Sequence, residues 1–266
     1  TTGILARETG APFWIALPAS GLAGALIGFV FGLPSLRLRG LYLAVSTLAL
    51  HFIVTHAGQE YETRRGLSSG VVIDPPKLFG AELVDPRLWY ASLFVCAAAT
   101  VLFALNLLRS RTGRAWRALH GREPVAEALG IPVARAKVSA FVIASTLTAM
   151  SGSLFAYYRG FVSSEAFSLF LTIQYVAMII IGGMGSVLGA VLGAAFVTLF
   201  PYLIETALAS LPGGESMSSL VFAVNYAAFG LVMILFLLFE PQGLVGIWQR
   251  VRNWFLLWPF RQRPLK

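Results

Sequence analysis

Long apolar stretches separated by short polar segments dominate the pattern of hydrophobic and polar positions along this chain. The longest stretch, residues 166–204, contains no Asp, Glu, Lys or Arg and is interrupted near its middle by Gly-Gly-Met-Gly-Ser at residues 182–186. Because a helix needs about 20 apolar residues to cross a bilayer, this stretch is long enough for two passes joined by a glycine turn. The pattern therefore predicts a membrane hairpin.

Further uncharged stretches of spanning length lie at residues 11–35, 40–59, 88–108, 138–158 and 216–239. Hydrophobic residues make up 57% of the chain and charged residues only 12%, which is the reverse of the balance in a soluble domain. With the hairpin counted as two passes, the sequence predicts an all-α, polytopic membrane helical bundle with about seven spans. We expect residues 1–266 to form a single transmembrane domain.

The basic residues are distributed unevenly between the two sides of the predicted membrane. If the glycine break is a true turn, 14 of the 20 Lys and Arg residues fall on one side, in three groups at residues 37–39, 109–137 and 250–266. A single crossing would divide them 9 to 11, so the positive-inside rule favours the hairpin. It places the N-terminus outside, and residues 109–137 and the C-terminus in the cytoplasm. The net charge of +8 is thus assigned to membrane orientation rather than to nucleic-acid binding.

The cytoplasmic segment 109–137 carries start and stop patterns for a short helix. Pro124 suits the first turn of a helix, and Gly130, followed by Pro132, suits its end. These residues predict a helix of about two turns, preceded by another short helix over residues 114–119. Helices this short are marginal alone in water, so we interpret the segment as a docking element, with a solvated basic loop as the alternative. The external segment 60–87 is predicted to be an ordered loop containing a short helix.

Glycines recur at helix-packing spacing in two of the predicted spans, at residues 21, 24 and 28 and at residues 185, 189 and 193. Small residues on one face of a helix allow another backbone to approach closely in a membrane. Packing inside one subunit is the favoured interpretation, and a subunit interface is the alternative.

The sequence contains none of the motifs that would indicate an enzyme. The histidines at positions 51, 56 and 120 do not form a metal-type pair, and the single cysteine, Cys96, has no partner. No Walker A motif and no Gly-x-Ser-x-Gly elbow occur, so no catalytic residue, metal or cofactor is predicted. The spans also lack paired carboxylates, which argues against an ion-coupled carrier and implies that energy for uphill transport would come from another subunit. Ser46, Thr47 and Gln174 are candidates for lining a pathway, although helix–helix hydrogen bonding explains each of them equally well.

Four motifs in order resemble the M-type inner-membrane permeases of branched-chain amino acid ABC importers (LivM-like). They are Leu-Arg-Leu-Arg-Gly-Leu-Tyr at residues 36–42, Glu-Ala-Leu-Gly-Ile at 127–131, Gly-Gly-Met-Gly-Ser-Val-Leu-Gly at 182–189 and Pro-Gln-Gly-Leu at 241–244. Family members usually have further spans before the point where this chain begins, so the chain is expected to be part of a longer protein. The external segment keeps only part of the family's Thr-Gly-Gly pattern at residues 63–70.

The resemblance implies a multi-pass permease subunit in a bacterial inner membrane. Its implied partners are a homologous H-type permease, two cytoplasmic ATPases and an external substrate-binding protein. ATPase-coupling contacts are expected at Arg114, Arg117, Glu127, Ala128, Leu129 and Gly130, and turn and packing roles at Gly182, Gly183, Gly185 and Gly189. Related permeases serve urea or short amides, which is the alternative cargo. An integral membrane enzyme or a scaffold is the alternative from a different class.

Overall fold

The structure is a computed structural model of the chain. It describes residues 2–257, except residues 10–11, 37, 39, 68–69, 79–80, 83–84, 122, 210–217 and 241. Several basic residues used in the charge argument, and one proline of the family motifs, therefore lie outside the described residues: Arg37, Arg39, Arg122, Pro241, Arg261, Arg263 and Lys266. The chain divides into two compact units, residues 1–167 and 168–266.

The first unit contains seven α-helices among its described residues. They are α1 (Thr2–Thr9), α2 (Phe13–Ser35), α3 (Leu41–Arg64), α4 (Pro86–Arg109), α5 (Arg111–Gly121), α6 (Glu123–Ala128) and α7 (Val133–Arg159). Four two-residue strands, β1 (Val71–Val72), β2 (Lys77–Leu78), β3 (Ala81–Glu82) and β4 (Phe161–Val162), and a 3₁₀ helix (Ser164–Ala166) complete the unit.

Helices α2 and α7 pack closely because glycines on α2 face α7. A methyl group added to Gly24 would lie 2.5 Å from the carbonyl oxygen of Ser145, and one added to Gly28 would lie 2.9 Å from that of Phe141. Carbonyl contacts of this kind leave no room for a side chain, so the two backbones meet directly. The glycine spacing was therefore correctly interpreted as packing inside one chain.

One end of this helix pair is closed by a small apolar core. Phe13, Trp89 and Tyr157 are buried there together with Val71 and Ile73. The rings of Phe13 and Tyr157 meet edge to face with centroids 5.2 Å apart. Burial of these large side chains anchors the loop between α3 and α4 to the helices.

The external segment 60–87 differs from its prediction. Its described residues contain the end of α3, the strands β1, β2 and β3 and the start of α4, but no short helix of their own. β1 pairs antiparallel with β4, and β2 with β3. The predicted short helix was wrong because Val71-Val72-Ile73 favours extended backbone, and Pro75-Pro76, which follows after one residue, interrupts a helix.

The second unit contains four α-helices among its described residues: α8 (Leu169–Gly182), α9 (Val187–Ala209), α10 (Ser218–Phe239) and α11 (Gly243–Leu257). The glycine-broken stretch thus forms two helices, as predicted. Ala177, Ile181 and Val197 form the buried core between α8 and α9, with residues of α10 packed around them.

Five described helical segments are long and apolar enough to cross a membrane: Phe13–Pro34, Pro86–Arg109, Val133–Arg159, Ser164–Gly182 and Val187–Thr206. A sixth is reached if the bent pair Ala227–Phe239 and Gly243–Phe255 is one span. The all-α, polytopic fold class is confirmed, but the count of seven is not. Helix α3 has 24 residues, but it contains His51 and His56 and ends in a charged segment, and it is not among these spans.

Candidate functional site

The segment between α4 and α7 is held together by specific side chains. The indole N–H of Trp116 on α5 donates to the carbonyl oxygen of Ala136 (2.9 Å) and to Ser139 Oγ (3.2 Å) on α7. The Lys137 ammonium on α7 lies 2.7 Å from a carboxylate oxygen of Glu123, the first residue of α6. Both short helices are therefore tied to the first turns of a spanning helix.

Helix α6 ends in a complete Schellman motif. Gly130 N–H donates to the Glu127 carbonyl (2.9 Å), Ile131 N–H donates to the Ala126 carbonyl (3.0 Å), and Gly130 has a φ of +80°. The left-handed conformation explains the glycine, because a side chain there would be strained. The predicted start near Pro124 and stop at Gly130 are both confirmed, and α5 is longer than the predicted 114–119.

Helix α6 exposes one side to solvent and buries the other. Ala126 is 2% exposed and faces the protein, whereas Leu129 is 75% exposed. Glu127, Ala128 and Gly130 are also exposed. The structure thus brings four of the six predicted coupling residues together on one solvent-exposed turn.

The other two predicted coupling residues have a different environment. Arg114 donates from its guanidinium to the Arg109 carbonyl (2.9 Å), and Arg117 donates to the Leu108 carbonyl (2.8 Å). These carbonyls end α4, where cations stabilise the helix C-terminus. Both arginines are exposed, but their guanidinium groups already brace the junction between α4 and α5.

A cavity of about 640 Å³ lies along α3 within the first unit. Thr47 and His51 line it, while Ser46, one residue away, does not. Glu62 lines the same cavity and accepts hydrogen bonds from Ser164 N–H and Oγ, both at 2.9 Å. Of the three pathway candidates, the structure therefore places only Thr47 at this cavity; Gln174 lies half-buried on α8 in the second unit.

The C-terminal end of α3 carries a small polar cluster. Tyr61 O–H donates to Glu8 Oε1 (3.0 Å), and the Arg65 guanidinium also binds that oxygen. Partial desolvation, together with the hydrogen bond to Glu8, raises the pKa of Tyr61 above its ordinary value. The cluster fixes α1 against α3 beside the cavity.

The Gly-Gly-Met-Gly-Ser turn of the second unit is built on close backbone contacts. Gly183 and Gly185 have φ values of +114° and +80°, and Ser186 Oγ caps α9 by accepting from Gly189 N–H (3.1 Å). A methyl group on Gly189 would lie 2.8 Å from the Gly182 carbonyl. A methyl group on Gly243 would lie 2.6 Å from the Ile181 carbonyl, so the third and fourth sequence motifs touch each other.

Several residues of these sites were not predicted from the sequence. Glu62 and Ser164 are 102 positions apart, and Trp116 lies 20 positions from its acceptor Ala136. No local pattern marks such pairs. Lys137 was assigned to the basic residues and to the resemblance of the coupling loop, but not to a partner, although the positions of Glu123 and Lys137 on the two sides of a predicted turn could have indicated the ion pair.

Fold and site together define a multi-pass helical membrane protein. Between two of its spans lies a segment that is bonded to a spanning helix and exposes one turn to solvent. Among the described residues, no group of three or more His, Cys, Asp or Glu could hold a metal ion. Over residues 1–238 the chain matches the family described as "Branched-chain amino acid transport system / permease component", and it belongs to that family.

Curated relatives extend this match. The high-affinity branched-chain amino acid transport system permease proteins LivM of Salmonella typhimurium and Escherichia coli are each 32% identical over 92% of this chain and 60% of their own length. The probable branched-chain amino acid transport permease protein LivM of Methanocaldococcus jannaschii is 24% identical over 87% of this chain and 67% of its own. The chain thus spans about three fifths of the two bacterial relatives. No solved structure matches the chain significantly.

Proposed function

We propose that this chain is a permease subunit of an ATP-driven importer of branched-chain amino acids. The family match over residues 1–238 carries this proposal, since it covers both units and includes the segment between α4 and α7. The subunit itself is not an enzyme in this proposal. It forms the translocation path with a homologous H-type permease, takes its energy from two ATPase subunits, and receives cargo from an external binding protein.

The solvent-exposed turn at residues 127–130 is the proposed ATPase contact. Leu129 is 75% exposed, so it is available to fill an apolar pocket, and Glu127 is available to a basic side chain. The ion pair between Lys137 and Glu123 and the hydrogen bond from Trp116 would carry a displacement of α6 into the spanning helix α7. Arg114 and Arg117 support the contact by holding α5 in place.

The orientation of the chain follows from the same proposal. The segment 109–137 lies on the cytoplasmic side of a bacterial inner membrane, and the turn at residues 182–186 lies on that side too. Contact between this turn and Gly243 agrees with both being at one end of the second unit. The C-terminus is then cytoplasmic, and the cavity lined by Thr47 and Glu62 lies along the part of α3 that leads to the external segment.

ATP-dependent uptake in proteoliposomes tests the proposal. The vesicles would hold this permease with its partner permease, ATPase and binding protein, and would be offered labelled leucine, isoleucine, valine and urea. Leucine-class uptake that requires ATP supports the proposal. Urea uptake would keep the importer and change its cargo. An assembled complex that hydrolyses ATP and moves none of the four would contradict the assigned cargo.

A further inference from the structure

Between residues 247 and 255, the last described helix, α11, has its apolar and polar residues on opposite sides. The apolar residues follow a spacing of three and four, which forms one stripe on a helix: Leu244, Ile247, Trp248, Val251, Trp254 and Phe255. The polar residues Gln249, Arg250, Arg252 and Asn253 occupy the other side. An amphipathic helix with Trp and Phe in its apolar stripe and Arg on its polar face is typical of helices that lie in a membrane interface.

Only the first turn of α11 is packed into the second unit. Gly243 and Gly246 are buried, and Leu244 packs on the core formed with Ile181. All residues from 247 to 255 are exposed. Trp254 and Phe255 expose 62% and 67% of their surface. An exposed apolar stripe of this kind marks a surface that contacts either lipid or another protein.

The position of α11 limits what can cover this stripe. It begins four residues after α10, which ends at Phe239, and its axis is bent by 52° from that of α10. Glu240, the residue after α10, is joined to α11 by an ion pair: its two carboxylate oxygens lie 3.1 and 3.0 Å from Arg250 Nη2. Helix α11 has 15 residues and is about 22 Å long. It is thus attached where the apolar sequence of α10 ends and the charged residue Glu240 follows.

We propose that α11 lies in the bilayer interface next to α10 and binds anionic phospholipid headgroups. Trp248, Val251 and Phe255 enter the boundary between headgroups and acyl chains, where aromatic side chains are favoured. Arg252 reaches from the edge of the polar face to lipid phosphates, and the other basic residues of segment 250–266 increase the local attraction to an anionic surface. The proposal concerns the lipid contact of this helix and does not depend on the cargo or on the proposed importer function.

Site-directed spin labelling of the full chain in vesicles tests this proposal. Since the sequence holds one cysteine, Cys96→Ala provides a cysteine-free background in which Trp248→Cys, Val251→Cys and Phe255→Cys are compared with Gln249→Cys and Asn253→Cys. Collision rates with oxygen and with a water-soluble nickel chelate report the phase around each label. We expect the first three labels to prefer oxygen and the last two to prefer nickel, in vesicles of phosphatidylcholine with phosphatidylglycerol.

Three other outcomes would overturn the proposal. Equal nickel access at all five positions would mean that the helix lies in water. High oxygen access at all five, decreasing steadily from residue 248 to residue 255, would mean that α10 and α11 form one broken span. Protection from both reagents only when the ATPase and partner permease are present would mean that a protein covers the stripe. Arg252→Gln should reduce the depth of the labels in anionic vesicles and leave it unchanged in phosphatidylcholine alone; equal depths in all four conditions would contradict the headgroup contact.

Discussion

The Lys137 ammonium lies 2.7 Å from a carboxylate oxygen of Glu123, and this ion pair joins the start of α6 to the first turn of α7. The two side chains are only 22% and 31% exposed, so the pair is better shielded from solvent than the pair between Arg64 and Glu60 at the end of α3. Its consequence is mechanical, because a force applied to α6 is transmitted to the spanning helix only while the two helices move together.

The first prediction is that Lys137→Met weakens coupling more than it weakens folding. A pair of this kind contributes about 1 kcal/mol, which corresponds to about a fivefold change in a coupling equilibrium. We expect substrate-stimulated ATP hydrolysis by the assembled complex to fall by roughly that factor, with basal hydrolysis retained. Arg64→Met, which breaks the more exposed pair with Glu60, is the matched control and should leave stimulation unchanged. If substrate stimulates ATP hydrolysis equally in both variants, the ion pair between Lys137 and Glu123 does not contribute to coupling.

The second prediction concerns the exposed apolar side chain at the end of α6. Leu129→Ser removes the side chain proposed to enter an ATPase pocket, while costing little stability because Leu129 is 75% exposed. We expect ATPase subunits to co-purify less well with the variant, and stimulated hydrolysis to fall. Val72 lies on β1, away from α6, and is 70% exposed. Val72→Ser also replaces an exposed apolar side chain by a polar one, and it should change neither ATPase binding nor stimulated hydrolysis. Loss of ATPase binding in both variants would point to a general folding defect instead.

The third prediction tests how α5 is fixed to α7. Trp116→Phe keeps a large ring but removes the N–H that bonds to Ala136 and Ser139. A lost hydrogen bond that leaves its partners partly buried costs about 0.5–1.5 kcal/mol, so the unfolding temperature in detergent should fall by a few degrees, as expected for about that loss. Tyr90→Phe, which removes a polar hydrogen at a 73% exposed position on α4, provides the control. An unchanged unfolding temperature in both would show that the Trp116 bond contributes no net stability.

The sequence predicted the helical class, the glycine turn and both ends of α6, because each depends on local composition. Apolar stretches of spanning length require helices in lipid, and Gly130 is the residue type that a left-handed cap prefers. The sequence could not predict which polar residues meet across the fold. Thr47 and Ser46 are neighbours with the same local pattern, yet only Thr47 faces the cavity, because that depends on the rotation of α3 about its axis.

The short strands that follow α3 and α7 were missed for a similar reason. β1 and β4 are two residues long and 90 positions apart along the chain, so their pairing depends on where α3 and α7 end. Arg114 and Arg117 were expected from the family resemblance to contact an ATPase, and the structure gives each an acceptor within the chain at the end of α4. Charge alone does not distinguish a side chain that binds a partner from one that caps a helix.

The fourth prediction uses the neighbouring residues on α3. Thr47→Leu adds volume at the wall of the 640 Å³ cavity, so we expect a lower uptake rate with normal assembly and normal basal ATP hydrolysis. Ser46→Leu makes a comparable change outside the cavity lining and should preserve uptake. If both variants transport at the original rate, the cavity is not part of the cargo pathway; if both lose assembly, α3 requires small residues for packing rather than for transport.

The fifth prediction separates two glycines that a sequence pattern cannot rank. Gly24→Ala would place a methyl group 2.5 Å from the Ser145 carbonyl, so α2 and α7 must separate, and we expect a large loss of stability. Gly152→Ala, on α7, meets nothing within 4 Å and should change the unfolding free energy by less than about 1 kcal/mol, in the stabilising direction. Thermal unfolding in detergent measures both. A Gly24→Ala variant as stable as Gly152→Ala would mean that the close approach of α2 to α7 is not required for the fold.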